Sequence, residues 1–108
     1  MKAWGALALL AAVSAAPVGV VRAQDPAQIE QGRRLFTQAA PACAVCHTLK
    51  DAGAEGAIGP SLDELRPDAQ RVMTAMRNGI GQMPSYRTLL TEAQIQAVGA
   101  YVAQAAGR

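Results

Sequence analysis

Both cysteines and the only histidine of this 108-residue chain lie within five consecutive positions, Cys43-Ala-Val-Cys46-His47, inside the stretch PACAVCHTLK. A chain that gathers all of its thiol and imidazole in one place can build one site for soft-ligand or covalent chemistry, and the fold has to form around it. Several readings of the pair compete. A redox-active Cys-x-x-Cys of the thioredoxin kind belongs beside a βαβ pattern, and the sequence shows no strand-like alternation that would supply one. A structural zinc ion takes four ligands, one more than the thiols and imidazole available. A plain disulfide is the simplest alternative, yet bridging two cysteines this close in sequence closes a very small loop and staples little of a fold.

Cys-x-x-Cys-His is also the pattern of covalent haem c attachment. Cys43 and Cys46 would add to the two vinyl groups of the porphyrin, pinning its edge to the backbone at two points, and the adjacent His47 would then be held under the iron as an axial nitrogen ligand. One such cofactor uses all three groups. It also answers a weakness in composition, because Phe36, Tyr86 and Tyr101 are the only aromatic residues after position 23. A domain of this size often needs a staple to reach useful stability, and a covalently held apolar macrocycle would fill the centre.

The first 23 residues read differently from the rest. Met1-Lys2 is followed by the apolar run AWGALALLAAVSAAPVGVV, and Val21 and Ala23 place small residues before Gln24, the pattern of a cleavable secretory signal peptide with the cut after Ala23. The competing reading is a retained membrane anchor, since the run approaches the roughly 17–25 residues that a spanning helix needs. Pro17 and Gly19 interrupt it, and the expected mature form has no membrane span. Export places the expected location in the periplasm. Residues 24–108 then form one domain with eight basic and eight acidic side chains. This neutrality, with no basic run interleaved with aromatics, argues against a nucleic-acid partner.

Periodicity within 24–108 predicts an all-α fold of three main helices and long loops. Asp25-Pro26-Ala27-Gln28 is a helix start with a capping-box-like pattern, followed by Ile29, Gly32, Leu35 and Phe36 on one face while Arg33 and Arg34 point away. Pro41 ends this helix. DAGAEGAIGPSLDEL has no sustained period and reads as a long loop with a short helical turn over 61–65, and a loop of that length in a compact domain is usually functional. A second helix is expected from Pro67 to about Asn78, with Val72, Met73 and Met76 on one face and Gly79 ending it in a left-handed conformation. After the irregular GIGQMPSYRTLL, Thr91-Glu-Ala-Gln94 opens the last helix, whose stripe is Ile95, Val98, Val102 and Ala105.

The other face of the iron has three candidate sulfur donors. Met73 and Met76 fall on the apolar face of a predicted helix, where methionine more often serves as flexible core filling. Met83 sits instead between the pliable Gly79 and Gly81 and the rigid Pro84, 36 residues after His47, where a loop can reach over a cofactor. The alternative is an exposed loop methionine beside an open iron. Ligation by His47 and Met83 would raise the reduction potential and leave no coordination position for oxygen or peroxide. That combination suits electron transfer, and no catalytic residue is expected.

These features together resemble the small bacterial class I monohaem cytochromes c over essentially all of 24–108. The resemblance implies a cytochrome c-like fold with one haem c attached at Cys43 and Cys46 and ligated by His47. Gly59-Pro60 is similar to the segment whose proline carbonyl accepts a hydrogen bond from the ligating imidazole. MPSY resembles the segment carrying the axial methionine, here Met83. Gly32, Leu35 and Phe36 resemble the first-helix side of a close helix crossing, with Gly99 and Tyr101 as its other side. The family's function would be one-electron transfer between redox partner proteins. Mitochondrial-type members carry many lysines around the haem edge, whereas only Lys50 is found after position 23, with arginines at 33, 34, 66, 71, 77, 87 and 108. Partner docking through a mixed or apolar patch, weakly steered by charge, is expected. The region from Gly59 to Tyr86 also resembles small cytochromes that accompany periplasmic sulfite-oxidising enzymes, so a cytochrome subunit of such an oxidoreductase is an alternative. A haem protein with an open distal site is a further one, although no second His and no well-placed Arg supports it.

Overall fold

Asp25 opens the first helix, α1 (Pro26–Gln38), by accepting the Ala27 amide proton on its side chain at 3.1 Å, with Pro26 in the first turn where a missing N–H costs nothing. The computed structural model describes residues 2–14 and 25–108. Residues 2–14 form neither helix nor strand, and Trp4, Leu7, Leu9, Leu10 and Val13 stand about nine-tenths exposed, so this apolar run contributes nothing to the core. The expected cleavage point after Ala23 lies outside the described residues. No helix among the described residues is long and apolar enough to cross a membrane.

Three helices dominate, in the predicted order. They are α1, α4 (Ala69–Asn78) and α5 (Glu92–Ala105), with the single-turn α2 (Cys43–Cys46) and α3 (Leu62–Leu65) in the loops between them. The last helix is built as its sequence suggests. Thr91 accepts from the Gln94 amide, the Gln94 side chain accepts from the Thr91 amide in return, and Ile95, Val98, Val102 and Ala105 are all buried. Together with Phe36, Leu49, Leu62, Met76, Tyr86 and Tyr101 they form one core.

Helix α5 packs against α1 on one side and α4 on the other, and each crossing needs a glycine. A Cβ at Gly32 would meet the Ala97 carbonyl oxygen and lie 2.6 Å from Tyr101 Cβ, so α1 and α5 touch backbone to backbone there. Phe36 and Tyr101 close the same crossing edge to face, with ring centroids 6.0 Å apart. Gly99 does not face Gly32 as the resemblance implied. Its missing side chain makes room for Met73, whose Cγ would lie 2.7 Å from a Cβ there, and for the Ala69 carbonyl of α4. The reason is helical phase: Ala97 and Tyr101, four residues apart, share one face of α5, and Gly99, two residues from each, points the other way.

Smaller departures have local causes. Helix α4 begins after Asp68 instead of at Pro67, because the Asp68 carboxylate accepts the Arg71 amide proton at 2.7 Å and so supplies the N-cap. Gly79 ends α4 with φ 70° but ψ 163°, an extended exit in place of a left-handed turn. The loop after Cys46 contains a two-stranded ladder, β1 (Thr48–Leu49) and β2 (Ala54–Glu55), joined by a 3₁₀ turn over Lys50–Ala52 and by Gly53 at φ 63°. Strands of two residues are too short for any alternation to show in sequence. The short turn α3 falls where expected, with Ser61 at its N-cap position.

Candidate cofactor site

Cys43 and Cys46 sit at the two ends of α2, a single turn that brings side chains three residues apart onto one side. Both thiols are free and partly buried. Burial pushes the Cys43 thiol up to about 11, so it is a neutral thiol at physiological pH. The turn ends at His47, whose amide donates to the Cys43 carbonyl at 3.0 Å while its own backbone becomes extended. His47 therefore leaves the helix immediately after the second thiol.

The loop from Gly56 to Pro60 lies across this turn and is fastened to it at three points. Thr48 Oγ1 donates to the Gly56 carbonyl at 2.9 Å, the Gly59 amide donates to the Cys46 carbonyl at 2.7 Å, and His47 Nδ1 lies 2.8 Å from the Pro60 carbonyl oxygen. A carbonyl oxygen can only accept, so Nδ1 is the donor in this contact, and Nε2 is the ring nitrogen left available to a ligand. Two glycines permit the close approach. A Cβ at Gly59 would stand 2.6 Å from His47 Cε1, and one at Gly56 would stand 2.6 Å from the Val45 backbone. The expected carbonyl partner of His47 is thus in contact, and a glycine presses on the ring.

Met83 lies on a second strap. Ile80 and Met83 exchange both backbone hydrogen bonds, at 3.0 and 2.9 Å, around a two-residue turn that starts with Gly81 at φ 55°. Ser85 Oγ donates to the Arg77 carbonyl at 2.5 Å and the Tyr86 amide to the Met76 carbonyl at 2.6 Å. Gly79 lets the strap pass, since a Cβ there would lie 2.9 Å from both the Met83 carbonyl and the Ser85 amide nitrogen. Met83 is half-buried against the core. The other two methionines are committed elsewhere: Met73 packs at Gly99 with its sulfur 3.9 Å from the Arg77 guanidinium, and Met76 is fully buried in the core.

Two contacts around these straps carry no sequence signature. The Tyr86 hydroxyl donates to the Pro41 carbonyl at 2.5 Å, joining the Met83 strap to the segment that delivers Cys43. Burial pushes this phenol up to about 12. The Asp63 carboxylate accepts from the Lys50 amide at 2.8 Å and from the Gly107 amide at 2.9 Å, which ties the ladder, α3 and the end of α5 together. Those two amides, Gly107 first, hold Asp63 below the usual carboxylate range. Aspartate occurs at three positions from 51 onward, Asp51, Asp63 and Asp68, and no local pattern in the sequence singles out Asp63.

The donor set suits a haem. Two adjacent free thiols and one oriented imidazole match its attachment chemistry, whereas no three His, Cys, Asp or Glu side chains among the described residues gather to hold a bare metal ion. Val45, Ile58 and Ile80, neighbours of Cys46, Gly59 and the Met83 turn, remain 61%, 67% and 70% exposed.

A family model described as cytochrome C oxidase, cbb3-type, subunit III matches residues 27–102. Among solved structures, the chain is similar to the c-type cytochrome SorU from Sinorhizobium meliloti, with 49% identity and a TM-score of 0.75 over 78% of this chain and 97% of that one. No curated protein sequence matches. A family match over most of the folded domain, carried by one Cys-x-x-Cys-His turn, has a plain consequence: the chain belongs to this family of c-type cytochrome domains, an all-α electron carrier with one covalently bound haem c.

Proposed function

We propose that the mature protein is a periplasmic carrier, released by cleavage after Ala23, in which Cys43 and Cys46 hold the haem and His47 and Met83 are the axial ligands. The bound haem supplies a one-electron ferrous/ferric couple. The chain's own residues make that couple fast and selective. Pro60 keeps the His47 proton on Nδ1 and the ring in one orientation, which raises the basicity of Nε2 toward a metal. Loops fastened at several points cost little reorganisation when charge changes.

The observation that carries the assignment of Met83 is the number of bonds spent on its strap. The Ile80 pair, Ser85 to Arg77 and Tyr86 to Met76 fix a half-buried methionine in a loop, where an idle side chain would need no such framing. Met83→Ala tests it. The reduction potential should fall by a sizeable part of the roughly 0.8 V that axial ligation spans, and the reduced protein should become able to bind carbon monoxide. An unchanged potential would show that a different group completes the coordination.

The likeness to SorU supports a second, narrower reading, in which the carrier takes electrons from a periplasmic sulfite-oxidising enzyme. Co-purification with such a catalytic subunit, and faster reduction by it than by unrelated donors, is the expected outcome. Equal rates with several unrelated partners would contradict it.

A further inference from the structure

We propose that Tyr86 is a positioning residue for Met83, whose hydroxyl clamps the methionine strap to the haem-attachment segment through the Pro41 carbonyl. The proposal rests on the reading of Met83 as a ligand. Of the hydrogen bonds made by residues 79–90 among the described residues, those from Ile80, Met83, Ser85, Arg87 and the Tyr86 amide close within the strap or onto helix α4. They give the strap its shape but attach it to one side of the site only. The Tyr86 hydroxyl alone crosses to the other side, over a sequence separation of 45 residues.

Both partners are free for this use. Tyr86 is 3% exposed, so its hydroxyl needs a protein acceptor. The Pro41 carbonyl precedes the turn, whose own bonds run from the Val45 amide to Ala42 and from the His47 amide to Cys43. The Tyr86 backbone is also fully engaged. Its amide donates to Met76, and its carbonyl accepts from Leu89 at 3.0 Å and Leu90 at 2.9 Å. A residue held at every polar atom, three positions after Met83 and sharing its strap, transmits little slack. Lifting the strap away from the attachment segment requires breaking the cross-site bond, and without that bond the strap is held from the α4 side alone.

Tyr86→Phe keeps the ring and removes the hydroxyl. In ferric holoprotein, added imidazole competes with Met83 for the iron, read as loss of the weak far-red band of methionine sulfur on ferric iron. The variant is expected to bind imidazole about 5- to 10-fold more tightly, the factor that loss of an ordinary hydrogen bond gives to the open fraction. A role in stability alone would lower the melting temperature and leave this affinity unchanged, and that result would overturn the proposal while the band itself upheld Met83. Absence of the band from wild-type protein would overturn the ligand reading and the clamp together. Should Tyr86→Phe yield no holoprotein, wild-type protein gives the reciprocal test: imidazole should speed exchange of the Tyr86 hydroxyl proton, followed by NMR, by about 5-fold or more. Unchanged exchange would overturn the clamp.

Discussion

A Cβ would be intolerable at Gly32 and manageable at Gly99, and the difference is what stands opposite each. Alanine gains up to about 1 kcal/mol over glycine inside a helix. At Gly32 that gain is outweighed by contact with the Ala97 carbonyl and Tyr101 Cβ, atoms belonging to or next to the backbone of α5. Gly32→Ala should therefore cost about 1–3 kcal/mol. At Gly99 the main obstacle is the flexible Met73 side chain, and Gly99→Ala should stay within about 1 kcal/mol of wild type. Urea titration of the two holoproteins checks the pair, and equal losses would mean that both crossings are equally rigid. Single residues were the most legible part of this chain where chemistry fixes residue type at fixed spacing, as for Cys43, Cys46 and His47. The partner of Gly99 was not legible, because which neighbour a helix face meets depends on a packing arrangement that one helix's sequence does not contain.

At the scale of elements, helices were legible and straps were not. Capping residues and a 3.6-residue period located α1, α4 and α5 to within two residues, since both signals are local. The region 48–66 has no period to read, and its order comes from bonds across long separations, chiefly those converging on Asp63. Asp63 has its carboxyl held below the ordinary range in the folded protein, so its contribution is fully present above the unfolded carboxylate value of about 3.9 and is lost as pH falls through the folded value. Asp63→Asn should accordingly lower stability at neutral pH, and the gap from wild type should shrink below about pH 4. Urea midpoints measured between pH 7 and 3 give the comparison, and a gap independent of pH would remove charge from the explanation. The Met83 strap shows the same limit of local reading. GIGQMPSY announces a turn around glycine and a methionine fixed by proline, but the hydroxyl that reaches Pro41 is visible only once the chain is folded.

Across the whole molecule, three main helices and the loops between them share one core that is poor in aromatics. Phe36, Tyr86 and Tyr101 are the only aromatics of the folded domain, and all three are buried. The double variant Cys43→Ala/Cys46→Ala, unable to attach haem covalently, should lose most of its cooperative thermal transition by circular dichroism, whereas a sharp wild-type-like transition would show that the helices suffice. Charge predicts how the carrier meets its partners. Arg33 and Arg34 share Glu30, Arg77 pairs with Glu92, and the eight basic side chains of 24–108 are matched in number by eight acidic ones, so residues 24–108 carry no net charge to steer a partner. Second-order electron-transfer rates with a protein partner should therefore change less than about tenfold between 0.01 and 0.15 M salt, where strongly steered pairs change far more. The most direct measurement of the central claim is the optical spectrum of the purified protein, ferric and then dithionite-reduced, with carbon monoxide added last. A c-type spectrum with the far-red methionine band, unmoved by carbon monoxide, is the predicted result for iron closed by His47 and Met83. A c-type spectrum that lacks the band and shifts on carbon monoxide would contradict it.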